Sequence, residues 1–163
     1  MQLTSIRAGD VPVLSEMLAT AFAFPAEQAP AWLKVARHEH VRVMREGKRP
    51  LGCLIVIPMG HWFGGRSVPT TGIAGVAVSV EARGRGVARA LMEGVLREAA
   101  KKKVALSSLY PATQTLYRRV GYERAGKLCE VTIPTHLFTA PRTDLVCRPL
   151  TARDSAAVER LYA

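Results

Sequence analysis

Hydrophobic positions change period several times along the chain, and each change predicts an element. Leu3 to Ile6 reads as a short strand. Asp10 then caps a helix whose apolar residues Val11, Leu14, Met17, Leu18 and Ala21 recur at helical spacing, with Pro12 tolerated in the first turn. An aromatic cluster, Phe22, Phe24 and Trp32, leads into a second short helix ending near Arg37. Val41 to Met44 and Leu51 to Ile57 predict a hairpin across Glu46, Gly47 and Lys48, and Gly60 to Gly65, holding His61, Trp62 and Phe63, reads as a loop. Ile73 to Val80 is a run of small and β-branched residues without charge, as expected of a strand covered on both faces. From Val87 to about Lys102 the helical period returns. Val87, Leu91, Val95 and Ala99 form the inner stripe, Arg89, Glu93, Arg97 and Lys101 the outer face, and the lysines end the helix where its dipole favours cations. Val104 to Leu109 predicts another buried strand, Pro111 to Val120 a short helix closed by Gly121, and Leu128 to Ile133 a last strand. Such mixed order predicts an α+β fold in three layers, α/β/α.

A chain of 163 residues is long enough for one domain with its own core. No apolar run approaches the roughly 18 residues that cross a bilayer. Met1 to Arg7 also lacks the basic patch and apolar stretch of a secretory leader, so the expected location is the cytoplasm, with no membrane partner. Cys53, Cys129 and Cys147 are spaced neither as a disulfide framework nor as a metal doublet and are expected as buried free thiols. His38, His40, His61 and His136 lack a third ligand at metal spacing, so no metal is expected.

Charge narrows the search. The chain carries a formal +10, and the segment from Arg83 to Lys127 holds eleven lysines and arginines against Glu93, Glu98 and Glu123. A basic surface suits nucleic acid, an anionic membrane or a phosphorylated small molecule. Within it, Arg83, Gly84, Arg85, Gly86, Val87 and Ala88 stand between a predicted buried strand and a predicted helix. The first amides of a helix have no internal acceptors, the dipole adds positive potential, and glycines let a ligand approach the main chain, so this turn is suited to an anion. It is not a Walker loop, which needs Gly-Lys followed by a hydroxyl residue. It is not a Rossmann fingerprint either, because Arg89 stands where the third glycine or alanine belongs and no acid falls between Glu98 and Glu123.

The run Val78 to Ala88 resembles the acyl-CoA pyrophosphate motif of the GCN5-related N-acetyltransferases (GNAT), with Arg83, Gly86 and Ala88 at its defining places. A second element of that superfamily, a tyrosine five residues before an aromatic that follows glycine, is met by Tyr117, Gly121 and Tyr122. The resemblance covers residues 1 to 133, and its runs Gly86 to Met92, Ala105 to Tyr110 and Tyr117 to Tyr122 are most similar to the N-terminal domain of the Eis (enhanced intracellular survival) acetyltransferases. Two departures stand out: Val80 replaces a proline often found after the strand, and Tyr110 replaces an asparagine that contacts the cofactor in many members.

The resemblance implies a mostly antiparallel sheet, splayed at its central parallel pair, and transfer of acetyl from acetyl-CoA to a primary amine. That amine would belong to a small molecule such as an aminoglycoside, or to a lysine. The main chain of Val76, Ala77 and Val78 would pair with the pantetheine arm, and Arg83, Gly84, Arg85, Gly86, Val87, Ala88 and Arg89 would hold the pyrophosphate. Ala112 and Thr113 would approach the pantetheine end, Tyr117 would protonate the leaving thiolate, and Phe24 and Trp32 would flank the acceptor. No base for the amine is evident: Glu27 and Glu130 could serve only through water. The competing class is a binding module that senses acyl-CoA or contacts nucleic acid through the surface from Arg83 to Lys103, and a homo-oligomer is compatible with either.

One repeat closes the chain. Ala152 to Ala163 matches Ala8 to Ala19 at an offset of 144, each with a capping aspartate two residues after an alanine. Residues 1–140 are therefore expected to form one acetyltransferase domain, and 141–163 a linker and the truncated start of a second such unit. A fragment of this kind is expected to bind acetyl-CoA but turn over poorly.

Overall fold

The computed structural model describes residues 1–138 and 144–162, which divide into two compact units meeting at Glu123 and Arg124. The first contains β1 (Gln2–Ser5), α1 (Val11–Phe22), α2 (Ala29–Val35), β2 (Val41–Glu46), β3 (Arg49–Phe63), β4 (Arg66–Val78), α3 (Val87–Lys101), β5 (Leu106–Leu109) and α4 (Gln114–Arg118). The five strands form one sheet in sequence order, antiparallel except for the last pair, where β5 runs parallel to β4. The crossover through α3 makes that parallel pair possible.

Both faces of the sheet are covered, as three layers require. On one face α3 packs Val87, Leu91, Met92 and Val95 against Met44, Leu51, Leu54 and Ile73, with Tyr117 of α4 joining them. On the other, Leu14, Met17 and Leu18 of α1 and Leu33 of α2 cover Val41, Val43, Cys53, Ile55 and Ala77. The alternation of β2 and β3 residues between the two clusters is the period-two pattern of strands buried on both sides.

The β4–β5 ladder spans only four pairs, from Thr70↔Leu106 to Ile73↔Leu109, while β4 continues to Val78 beside β3 alone. The expected splay is therefore present. A β-bulge accompanies it: Cys53 faces Ala77 and Ile55 faces Ala74, so Gly75 and Val76 both oppose Leu54. Gly75 has φ +59, the left-handed region that a bulge of this type assigns to glycine. The bulge lies just past the last β5 pair and bends β4 away from it.

Several local expectations are corrected. Gly60 to Phe63 is not a loop. It belongs to a β3–β4 arm that runs on to Phe63↔Arg66, with the turn confined to Gly64 and Gly65. Trp62 and Phe63 are exposed there, so no one-sided burial imposed a readable alternation. The strand expected from Ile73 begins at Arg66, β5 is half-buried, and α4 begins at Gln114, not Pro111.

The second unit contains short 3-10 turns at Thr135–Leu137 and Ala152–Asp154, and α5 (Ser155–Tyr162). Leu128 to Ile133 forms no strand, and Leu128, Val131 and Ile133 are exposed. Its residue types suit a strand, but a strand also needs a paired edge, which this segment lacks. Only Cys53 is a buried thiol, pushed up to about 12 by desolvation, whereas Cys129 and Cys147 are exposed. No helix among the described residues is long and apolar enough to cross a membrane, and no group of their histidines, cysteines and acids could hold a metal ion.

Candidate active site

The turn between β4 and α3 carries the charge that the sequence concentrates here. Gly84 and Gly86 both have φ +76, so the chain reverses twice within three residues, at a cost that glycine alone avoids. Gly86 stands at the N-cap of α3, and its carbonyl accepts the Ala90 amide at 2.9 Å. Among the described residues, the amides of Val87, Ala88 and Arg89 find no acceptor, which leaves three donors and the positive end of a fifteen-residue helix at one spot.

A pocket of about 340 Å³ opens at this turn, lined by Val78, Ala82, Arg83, Gly84, Gly86, Val87, Ala88 and Arg89 and, from α4, by Leu116 and Arg119. Six of the seven residues expected at the pyrophosphate thus line one concavity. Arg85 is turned elsewhere and bonds Glu46 through Nη2 at 2.8 Å. Arg89 lines the pocket while its Nε bonds Glu93 at 2.7 Å. Leu116 and Arg119 were not legible as lining residues. Their i,i+3 spacing shows that they share a helix face, but not which face meets the pocket.

Above the turn, the β5-facing edge of β4 has no strand partner beyond Ile73 among the described residues. Val76 and Val78 are half-buried against the α3 face and Ala77 is buried against the α1 face, so side chains are anchored on both sides while the main-chain edge stays open. An extended, amide-bearing ligand could add to such an edge as a strand would.

Tyr117 is 8% exposed, packed in the α3 cluster and set edge-on to Tyr122 with ring centroids 6.2 Å apart. Burial pushes its phenol above the ordinary tyrosine value, so the group carries its proton at neutral pH. Its hydroxyl makes no hydrogen bond among the described residues. The Tyr122 hydroxyl, by contrast, is bonded to Ser107, whose Oγ donates to the Thr71 carbonyl at 2.8 Å across the parallel pair. One tyrosine is thus tied to the sheet and the other holds a phenol available to a ligand. Ala112 and Thr113 are exposed in the segment entering α4, with Thr113 at its N-cap.

On the opposite face, Trp32 meets Phe22 at 6.2 Å and Phe24 at 6.1 Å, forming an aromatic trio. It lies over the bulge: a Cβ on Gly75 would come within 2.8 Å of Trp32 Cη2. The two expected acceptor residues are therefore together and beside the bend in β4. Glu27 is exposed in the 3-10 turn ahead of α2, and Glu130 belongs to the second unit. Gly75→Ala is expected to cost about 1–2 kcal/mol through its left-handed φ alone, and to displace Trp32. A lowered melting temperature with a shifted tryptophan emission checks this, and unchanged values would contradict it.

Residues 2–125 match the family model described as Acetyltransferase (GNAT) domain. No curated protein matches the sequence. Among solved structures, the chain is similar to a GCN5-related N-acetyltransferase from Anabaena variabilis, at 37% identity and TM-score 0.74 over 77% of this chain and 32% of that one. A GCN5-related N-acetyltransferase from Kribbella flavida is 34% identical with TM-score 0.68, over 75% of this chain and 32% of that one. A probable N-acyltransferase from Enterococcus faecalis is 27% identical with TM-score 0.64 over the same shares. The chain spans about a third of the length of these relatives. With the glycine turn, the splayed parallel pair and the family match agreeing, the chain belongs to the GNAT acetyltransferase family.

Proposed function

We propose that this chain binds acetyl-CoA and moves its acetyl group to a primary amine, on a small molecule such as an aminoglycoside or on a lysine side chain. The observation that carries the reading is Tyr117: a buried, protonated phenol whose hydroxyl has no hydrogen-bond partner among the described residues, on the same short helix that lines the anion pocket. Acetyl-CoA's diphosphate would lie on the amides of Val87 to Arg89 with Arg83, and its pantetheine along the open edge of Val76 to Val78. The neutral amine nitrogen attacks the thioester carbonyl, a C–N bond forms, the C–S bond breaks and Tyr117 gives its proton to the departing thiolate sulfur, while the proton lost from the amine nitrogen passes to water, from which Tyr117 is reprotonated. The aromatic trio of Phe22, Phe24 and Trp32 would wall the amine side.

The finer likeness to the N-terminal domain of Eis acetyltransferases belongs with this reading, as do a cytoplasmic location and residues 141–163 as the opening of a second unit. The last is supported by geometry. In both copies a 3-10 turn precedes the helix, and its aspartate accepts the backbone amide three residues earlier, Arg7 to Asp10 at 2.6 Å and Thr151 to Asp154 at 2.8 Å. Each aspartate also takes two bonds from one guanidinium, Arg45 in the first copy and Arg148 in the second.

A nucleic-acid role fits less well, since Arg85, Arg89 and Arg97 already face Glu46 or Glu93. Calorimetry separates the readings: CoA binding weakened at least tenfold by Gly86→Glu supports the transferase, because the change adds a carboxylate and an unfavourable φ at the anion turn. Salt-sensitive RNA binding without CoA binding would overturn it. Thiol release across an amine panel then identifies the acceptor, and CoA binding without thiol release for any amine would leave a sensor.

A further inference from the structure

Two consecutive arginines close α4, and the structure separates their tasks. Arg118 is committed to Glu123, through Nε at 3.0 Å and Nη2 at 2.8 Å. Arg119, at the C-cap, lines the anion pocket with Leu116, and no hydrogen bond or ion pair engages its side chain among the described residues. No hydrogen bond or ion pair engages the Arg83 side chain among the described residues either, and Arg83 lines the same pocket from the glycine turn. Two arginines from different elements, neither engaged by a carboxylate among the described residues, therefore line the concavity besides the free amides of α3, while Arg85, Arg89 and Arg118 each have a carboxylate.

From this we infer that Arg119 is the second arm of a two-sided phosphate clamp, binding a phosphate of the nucleotide end of the acyl donor opposite Arg83 and the α3 amides. The inference rests on acetyl-CoA being the ligand of this pocket. A guanidinium suits the task because it stays charged and offers paired N–H donors to phosphate oxygens. Position adds a consequence. Arg119 is two residues from Tyr117, and the amides of Val120 and Tyr122 both bond the Tyr117 carbonyl, at 3.1 and 3.0 Å. A phosphate held by Arg119 thus steadies the turn that presents the phenol. Arg119 is a binding and positioning residue, not a catalytic one.

Calorimetric titration of the chain with CoA and with dephospho-CoA tests the clamp in wild type, Arg119→Ala, Arg119→Lys and Arg118→Ala. Arg119→Ala should weaken CoA binding about tenfold or more, the usual scale of a lost charge-assisted contact, with Arg119→Lys recovering part of it and Arg118→Ala within about twofold of wild type. Loss confined to CoA assigns the contact to the 3′-phosphate, and equal loss with dephospho-CoA assigns it to the diphosphate. Both outcomes support the clamp. Unchanged affinity in Arg119→Ala, or equal losses in Arg118→Ala and Arg119→Ala, overturns it while leaving the acetyl-CoA reading standing. A wild-type chain that binds neither compound overturns both. Arg119 is exposed, so melting temperatures should match wild type; a drop in that temperature matching the affinity loss would show a structural role and refute the inference.

Discussion

Tyr117→Phe is expected to lower the rate of thiol release about a hundredfold or more while leaving CoA affinity within about twofold, the low end of what a general acid contributes. The split follows from what the hydroxyl does. Because it bonds no group among the described residues, removing it leaves no orphaned donor there, and the ring keeps its place against Tyr122 and the α3 cluster. Stability should change little. On the proposed role, what disappears is the proton for a thiolate leaving group. The pH profile carries a second signature. Burial raises the phenol above the ordinary tyrosine value, so wild type should keep its acid form past that value and lose activity only as pH rises through the higher folded pKa. The phenylalanine variant should lack that alkaline limb. The comparison is made as relative single-turnover rates with excess protein. Equal rates for the two proteins, or a profile with the same limb in both, would remove Tyr117 from the mechanism. A core tyrosine with only a packing role would give equal rates.

How much of this was readable in advance depended on whether local pattern or a distant partner decided the outcome. The α3 helix, with its charged outer face and its start at Gly86, was legible because capping, period and dipole agree within one segment. The glycine turn ahead of it was legible for the same reason. Leu128 to Ile133 shows the opposite case, in which strand-forming residues find no edge to pair with. The arm ending at Trp62 and Phe63 shows a third: two exposed faces impose no alternation, so pairing with Arg66 to Pro69 alone made it a strand. At the site, composition marked the basic segment but could not divide its arginines. Glu46 draws Arg85 away from the pocket and Glu123 holds Arg118, and those partners lie outside any periodic pattern.

The largest stability effect is expected at Asp10. Its carboxylate is bonded by both Arg45 Nη atoms, Nη1 to Oδ1 at 2.8 Å and Nη2 to Oδ2, and it also accepts the Arg7 amide. Arg45 is 2% exposed and gives Nε to Thr4 Oγ1 at 2.8 Å, so one buried ion pair ties β1, β2 and the start of α1 together. Asp10→Ala strands a buried guanidinium and should cost about 3–5 kcal/mol, whereas the double change Asp10→Ala with Arg45→Met should recover most of it. Denaturant unfolding measures both; a double variant no more stable than the single one would contradict the stranded-charge account. The pH dependence has a definite sign. Bonding to Arg45 holds the Asp10 carboxyl below its ordinary value of 3.8, so the pair's contribution is present above that pH and is lost as pH falls through the lower folded value. The gap between wild type and Asp10→Ala should therefore narrow only in strong acid. Asp154 repeats the motif with Arg148 as its partner, and Arg148 is exposed. Asp154→Ala should consequently leave the melting temperature of the first unit unchanged, because a guanidinium already in water loses little when its carboxylate is removed.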